Sequence, residues 1–568
     1  MKKMIGLFVF LIFMGTQVVT AQSKQISGTI TSAEDGLGMP GVSVVIKGTT
    51  IGASTNIDGQ FSLEAKSSDV LLISFVGMIT QEITVGNKTV INAVMETESI
   101  GMDEVVVTAL GITKEKKSLG YAVQEVGGDD VSTAKDNSFI SSLSGRVSGL
   151  SIKKSGQIGG SVNAIIRGSN SFTGNNQALF VVDGVPISNS NTNTTDASTN
   201  RGGYDYGNAA SDIDPESIES ISVLKGATAS ALYGSDAANG VILITTKRGK
   251  AKKGIGVTIN QSMSVTTYDK KTFPEYQYQY GAGYGAYYGS TGSFDDIDVD
   301  GDGTDDYAVP YYEDASYGGA FDGSTQVFGW NSLYPELDTY GQKSTWSAPD
   351  HGPSYIFKNG YSSVTSIAID GGNEKGTFRM GYTNDDRTGI LENSKIKKDI
   401  IDVSASYNLT DKLKFDTKTT FNRTSGQGRY GTGYDAGNVV QMLRQWYQMN
   451  VDLKEQENAY LLTKDNTTWN PQAYNDTDPN YWDNPYFTLY ENYETDTRTR
   501  FFGKFQASYE FNDNINVVAR FGVDTYTDLR EERTAIGSID VSEYEKYERT
   551  FQEYNNDFIV NFNKRFSD

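Results

Sequence analysis

Residues 401–409 read Ile-Asp-Val-Ser-Ala-Ser-Tyr-Asn-Leu, a strict alternation. Successive side chains of a β-strand point to opposite sides, so Ile401, Val403, Ala405, Tyr407 and Leu409 share one face and Asp402, Ser404, Ser406 and Asn408 the other. The pattern recurs in 412–422, where Leu413, Phe415 and Phe421 oppose Lys414, Asp416 and Lys418. It recurs in 503–511, where Phe505, Ala507, Tyr509 and Phe511 oppose Lys504, Gln506, Ser508 and Glu510, and less cleanly in 515–523. Tight polar turns at Asn408–Lys412 and Asn512–Asn514 join neighbouring strands, whereas the other ends carry long connections such as Ser425 through Tyr493. Short turns on one side and long loops on the other, with one apolar and one charged face, are the plan of an antiparallel transmembrane β-barrel. A soluble β-sandwich with a solvated face is the competing reading. Residues 251–568 hold about eight such strands, whereas a barrel wide enough to need a plug takes about 22. An open sheet in lipid leaves unpaired edges. This segment is therefore expected to be the first part of a barrel, incomplete, and the chain to be truncated.

Upstream the texture changes. Residues 118–250 read as α/β. Asp214-Pro215-Glu216 has an N-cap, a proline in the first turn and an acid suited to the helix dipole. A strand at Ser220–Leu224, a short helix from Ala227 to Tyr233 and a buried strand at Gly240–Thr246 follow. Phe180-Val181-Val182-Asp183-Gly184-Val185 carries the Asp-Gly signature of a tight hairpin, and Pro186 puts its second strand at an edge. Residues 22–98 contain short runs at Gln25–Ile30, Gly41–Lys47, Phe61–Glu64, Val70–Phe75, Gln81–Val85 and Val90–Met95, spaced as in a small β-sandwich. Between the two, residues 99–117 set the bare apolar triplet Val105-Val106-Val107 between acidic and basic flanks, a workable docking strand or one more domain strand. Residues 1–21 have the Lys2-Lys3 start, the apolar stretch and the small-residue end of a secretory signal, with cleavage expected after Ala21.

Composition excludes several classes. The chain has no cysteine, which removes thiol chemistry and a disulfide framework, and one histidine, His351, which leaves little from which to build a triad or a zinc site. A formal charge of −22 repels a phosphate backbone, so no nucleic-acid partner is expected. No later run reaches the roughly 18 apolar residues of a membrane helix.

One local pattern points to a cation. Asp298, Asp300, Asp302 and Asp306 flank Gly301 and Gly303 with the alternating spacing of a hard-cation loop such as calcium's, although Val309 stands where a twelfth-position glutamate is usual. A merely solvated acidic loop reads equally well. No other cofactor is expected.

The stretch DIDPESIESISVLKGATASALYGSDAANGVILITTKRGK from Asp212 to Lys250 strongly resembles the plug signature of the SusC/RagA family of TonB-linked outer-membrane transporters. SSLSGRVSGLSI from Ser141, IIRGSNSF from Ile165 and ALFVVDGVPI from Ala178 agree with it. The motif positions are Arg146, Arg167, Gly168, Asp183, Gly184, Lys225, Tyr233, Gly234, Asn239 and Gly240. GMPGVSVVIKGTTIGASTNIDGQFSL from Gly38 resembles that family's carboxypeptidase-regulatory-like domain, and DEVVVTALG from Asp103 its TonB box, with Asp103, Glu104, Val105, Val106, Val107 and Thr108 as the contact residues.

The resemblance implies a mixed fold: an N-terminal β-sandwich, an α/β plug and part of a transmembrane β-barrel. It also implies a non-enzymatic role, TonB-dependent import of an oligosaccharide or peptide across the outer membrane of a Gram-negative, Bacteroidota-type bacterium. The N-terminal domain would lie in the periplasm and outer-membrane lipid would surround the wall. The implied partners are TonB with ExbB and ExbD, and a SusD-like surface lipoprotein as lid. Arg146 and Arg167 are candidates to pair with lumen carboxylates. The competing class, a surface glycan-binding adhesin without transport, predicts neither a TonB box nor a plug signature.

Overall fold

The computed structural model describes residues 23–33, 36–49, 51–75, 78–96, 105–107, 113–115, 123–132, 139–172, 174–225, 229, 231, 233–285 and 294–564. The expected signal segment 1–21 lies outside them, as do Asp103, Glu104 and Thr108 and much of the expected helix from Ala227. The chain divides into two compact units, residues 1–104 and 105–568.

The first unit is a two-sheet sandwich. One sheet orders its strands Gln60–Ala65, Lys24–Ser32, Ala93–Met95 and the other Gly52–Ser54, Ser43–Ile46, Val70–Ser74, Gln81–Thr84. Alternation places Phe61, Leu63 and Ala65 inward beside Ile26, Ile30, Val44, Leu71 and Ile73, all buried. The Gly52–Ser54 strand was not legible, since Gly-Ala-Ser carries no alternating pattern; it is an edge defined by pairing with Ser43–Val45.

In the second unit, Val105–Val107 pairs with Thr113–Glu115 in a small antiparallel hairpin. The α/β domain follows, with a five-stranded sheet ordered Val123–Gly127, Ile218–Leu224, Val241–Thr246, Leu179–Val182, Val185–Ile187. The Asp-Gly turn forms as its residues require: Asp183 and Gly184 both have positive φ, 51° and 89°, which a type I′ hairpin demands at its two central positions. Pro186 sits on the outermost strand, where no second partner needs its missing N–H. Asp214 caps a single 3-10 turn, Pro215–Ser217, through a 2.9 Å bond accepted from the Glu216 N–H. Val126, Ile140, Phe180, Ile221 and Ile242 lie in the core beneath the sheet.

The remaining architecture is one open antiparallel sheet of eight strands in chain order: Lys252–Thr266, Gly360–Asn373, Gly376–Thr388, Lys395–Asn408, Leu413–Gln427, Thr495–Asn512, Ile515–Thr534 and Glu543–Phe562. Turns at 374–375, 409–412 and 513–514 close one end, while 267–359 and 428–494 are the long connections of the other. The burial of this sheet is inverted relative to a soluble protein. Val257, Ile259, Phe378, Met380, Phe421, Phe505, Phe558 and Val560 are exposed on its convex side, whereas Lys398, Lys418, Asn422, Arg500, Lys504, Asp524 and Asp528 are buried on the other. Charged residues of this kind are almost never buried unless paired, so the concave face must contain their partners.

The long connections are not loose, contrary to the open loops that their lengths suggest. All five tryptophans lie in them, and Trp330, Trp346, Trp469 and Trp482 pack with Tyr311, Tyr447 and Tyr486 into a core of their own. Three helices brace that core: Val439–Gln445, Leu453–Thr463 and Pro485–Glu491. Their N-caps Asn438, Asp452 and Asn484 each accept backbone N–H bonds.

Candidate functional site

The α/β domain meets the concave face of the sheet through charge. At its tight turn, Asp183 Oδ1 lies 2.7 Å from Lys418 Nζ, and both side chains are nearly inaccessible. Thr246 completes the cradle: its hydroxyl donates to Asp183 Oδ2 at 2.6 Å, and its carbonyl accepts from Lys418 at 2.6 Å. Burial pushes the Asp183 carboxyl upward, but Lys418 and the Thr246 hydroxyl outweigh it and hold the group below the usual aspartate range.

One element along, Arg500 binds two acids at once. Its Nε and Nη2 form a fork on Asp524 at 2.8 and 2.7 Å, and its Nη1 reaches Asp212 Oδ2 of the α/β domain at 3.1 Å. Nη2 also donates to the Ser188 carbonyl at 3.0 Å, while the Ser188 N–H donates to Asp524 at 2.9 Å. Asn422 fixes the Asp212 carbonyl from the neighbouring strand, 3.1 Å away. The planar guanidinium suits this bidentate role as an ammonium would not.

Further contacts extend the seam in both directions. Arg530 donates to the Thr192 carbonyl at 2.9 Å and stacks over Tyr206 at 4.3 Å, whose hydroxyl donates to Glu532 at 2.6 Å. Arg429 forks onto Asp496 and passes Nη1 to the Asp205 carbonyl at 3.1 Å. The Thr383 hydroxyl donates to Asp214 at 2.6 Å, and Arg248 reaches Asp416 at 3.1 Å. Asp205 organises its own domain: the Ser161 N–H and hydroxyl, the Gly207 N–H and the Asn193 amide all donate to it. Burial raises the Asp205 carboxyl, and these four donors more than reverse that, leaving it below the usual range.

The charge roles differ from those expected. Arg146 pairs at 3.0 Å with Asp130 of its own domain, both exposed. Arg167 is exposed and takes a left-handed backbone, φ 61°, its N–H bonded to the Gly149 carbonyl. At Asp183 and Asp212 the domain contributes the acid and the sheet the base, while Arg248 on Asp416 is the reverse case. Of the other motif positions, Lys225 donates to Gln124 at 3.3 Å, Tyr233 packs beside Ala229 and Ala237, and Asn239 donates to the Asn175 carbonyl at 2.7 Å. Gly168, Gly234 and Gly240 have positive φ. At Gly240 a Cβ would fall 2.9 Å from the Leu224 carbonyl oxygen and 2.8 Å from Ile166, so the glycine permits close packing of strand on strand. These positions thus shape the domain, and among them Asp183 reaches the sheet.

In the acidic loop, one carboxylate oxygen from each of Asp298, Asp300 and Asp306 comes within 4.8 Å of the others. Asp302 stands apart from this trio, its Oδ1 accepting the Thr304 N–H at 2.8 Å.

Known proteins share both parts of this arrangement. Residues 26–107 match the CarboxypepD_reg-like domain and residues 115–241 the TonB-dependent Receptor Plug Domain. Over 540 residues the chain is 27% identical to TonB-dependent receptor P3 of Formosa agariphila, covering 94% of this chain and 44% of that protein. Over 507 residues it is 30% identical to TonB-dependent receptor SusC of Bacteroides thetaiotaomicron, covering 87% and 43%. A structure of the RagAB peptide importer in its open-open state has the same fold, with TM-score 0.52 at 18% identity over 80% of this chain and 46% of that one. The chain spans less than half the length of the curated relatives it matches.

Proposed function

With a carboxypeptidase-regulatory-like domain, a plug and a barrel-type wall in one sequence, the chain belongs to the SusC/RagA-type TonB-dependent receptors, and from that premise we propose that it supplies the leading domains and first wall strands of an active outer-membrane importer. The cargo class is an oligosaccharide or peptide, and a SusD-like lipoprotein covers the outer mouth. TonB, energised by ExbB and ExbD, pulls from the periplasm, where the N-terminal domain lies. The relatives in Formosa agariphila and Bacteroides thetaiotaomicron are named as TonB-dependent receptors, which supports a non-enzymatic role.

The observation that carries the reading is the inverted wall: apolar side chains exposed on one face, and on the other lysines and arginines seated on the plug's acids. An exposed apolar band suits lipid, and a polar seam suits a plug that must yield. Buried ion pairs confer little net stability because desolvation offsets their attraction, yet they define one seated geometry. Such a plug stays in register at rest and parts from the wall under load, since no large apolar area has to be wetted. Val105–Val107 is a three-residue strand that a partner grips by strand addition, through main-chain hydrogen bonds.

Deleting residues 103–110 from the membrane-inserted receptor is expected to abolish cargo uptake while leaving surface binding intact. The adhesin alternative expects no uptake in the parent protein to begin with; uptake that survives the deletion would sink the TonB-driven mechanism.

A further inference from the structure

We propose that the outward side of the wall carries a binding site for the phosphate of an anionic lipid, formed by Lys395, Lys397 and Arg423 above the apolar band. The inference rests on the sheet being a membrane wall and is independent of cargo and of TonB. Lys395 and Lys397 lie on the strand Lys395–Asn408 and Arg423 on its neighbour Leu413–Gln427, in a register that sets Lys397 opposite Ser425 and Asp399 opposite Arg423. A period of two puts all three cations on the same side as Val403 and Phe421, which are exposed on the face away from the plug. Lys397 and Arg423 are thus diagonal neighbours, about 7–8 Å apart.

What sets these cations apart is that nothing holds them. All three are exposed, and among the described residues none makes an ion pair or a side-chain hydrogen bond. On the opposite face Lys418, Arg429 and Arg500 are each seated on a carboxylate. Asp399, directly across from Arg423, is engaged elsewhere: its Oδ1 accepts from the Tyr382 hydroxyl at 2.7 Å and from the Asn384 amide at 2.9 Å. Asp386, across the sheet from Lys397, is the other acid on this side of the three strands. Three bases against two acids, one of them occupied, leave a local positive charge in a chain whose formal charge is −22.

The height of the patch fits a headgroup. Arg423 stands ten residues beyond Leu413, which begins its strand at the short-turn end. At about 3.4 Å per residue and a tilt of about 40°, that distance is about 25 Å along the membrane normal, the height of a barrel's apolar band. Beneath the cations Ile401, Phe421 and Phe501 adjoin one another across three strands. Tyr382 lies beside Ile401 with its hydroxyl turned to Asp399, as an interfacial aromatic does with one end apolar and the other wet. Charge above and apolar surface below match an amphiphile better than a free ion, and Arg423 can take two phosphate oxygens at once. Because the long connections mark the outer end of a barrel, the lipid belongs to the outer leaflet.

The test is native mass spectrometry of the whole chain in dodecyl maltoside micelles doped with lipid A or with phosphatidylcholine, each with and without inorganic phosphate. One lipid A is expected to stay bound and to be released as sodium chloride is raised, while phosphatidylcholine is held more weakly and without that salt dependence. Lys397→Gln combined with Arg423→Gln should weaken lipid A by roughly thirtyfold, a factor of about five for each basic residue at a membrane surface. Asp386→Asn should tighten it severalfold, and Lys412→Gln, at the short-turn end, should leave it unchanged. The substituted side chains are exposed, and the salt series is read on the unmodified chain as well, so a misfolded variant does not decide the matter. Equal retention of the two lipids, retention indifferent to the double substitution, or displacement of lipid A by inorganic phosphate overturns the site. None of these outcomes touches the membrane reading, which turns on insertion into vesicles.

Discussion

Arg500 and Asp212, 288 residues apart in sequence, meet at 3.1 Å with both side chains all but inaccessible, and the same guanidinium is forked onto Asp524. The three groups form one unit in which the arginine serves plug and wall at once. Arg500→Met removes the guanidinium shared by Asp212 and Asp524, leaving Asp212 only the more distant Arg498 at 3.8 Å, and should cost about 3–5 kcal/mol of plug seating. Asp212→Asn leaves the Arg500–Asp524 fork in place and should cost less, about 1–3 kcal/mol. Protease susceptibility of the plug in membrane-inserted protein ranks the two, and equal susceptibility contradicts the shared role.

Acid should loosen the plug through Asp205. Its carboxyl is depressed below the ordinary 3.8 because four donors outweigh burial, so the charged form is the one the fold favours. A depressed acid stabilises the fold above its unfolded pKa, and that contribution disappears as pH falls through the folded value. Thermal stability of the wild type should therefore fall below about pH 4. Asp205→Asn should be less stable at pH 7 by about 1–3 kcal/mol, since its amide turns donors toward donors, and should lack the Asp205 part of the acid loss. Parallel melting curves with identical pH slopes for both proteins would count against this role.

How much of the seam the sequence reveals depends on how local each signal is. Asp183-Gly184 is legible because a type I′ turn states its needs in two adjacent residues. Asp416, Lys418 and Lys504 are legible as the wet face of alternating strands, but a period of two identifies a face and says nothing about what lies across it. The partners Asp183 and Asp212 come from a separate domain, and no local pattern links them to Lys418 or Arg500. The same gap explains why Arg146 and Arg167 attract attention: they are conspicuous cations in plug motifs, yet composition does not tell which side of an interface carries which sign. The folded connections had a usable signal in their tryptophans, which are costly to leave in water and gather into a core.

Gly240→Ala tests whether close strand contact limits the plug. The backbone there has φ 90°, and the added methyl would sit 2.9 Å from the Leu224 carbonyl oxygen. Conformational strain alone costs about 1–3 kcal/mol, and the steric conflict adds to it. Hydrogen exchange should quicken in Val241–Thr246 and Ile218–Leu224, which pair across this point, and remain unchanged in the tryptophan core. Uniform acceleration, or none, contradicts the local account.

The outer face of the wall separates the membrane reading from a soluble sheet. Phe421 is exposed at the middle of its strand, flanked across the sheet by Ile401 and Phe501. In lipid an arginine at that depth costs about 2–4 kcal/mol, whereas on a solvated face the same change is nearly neutral or improves solubility. Phe421→Arg should lower the fraction of protein that folds into lipid vesicles and lower its urea midpoint there. Thr420, the next residue, is buried on the inner face, so Thr420→Ser serves as a control that leaves lipid contact unchanged. If Phe421→Arg folds into vesicles as well as the parent, the exposed apolar band is not a lipid surface and the barrel assignment fails with it.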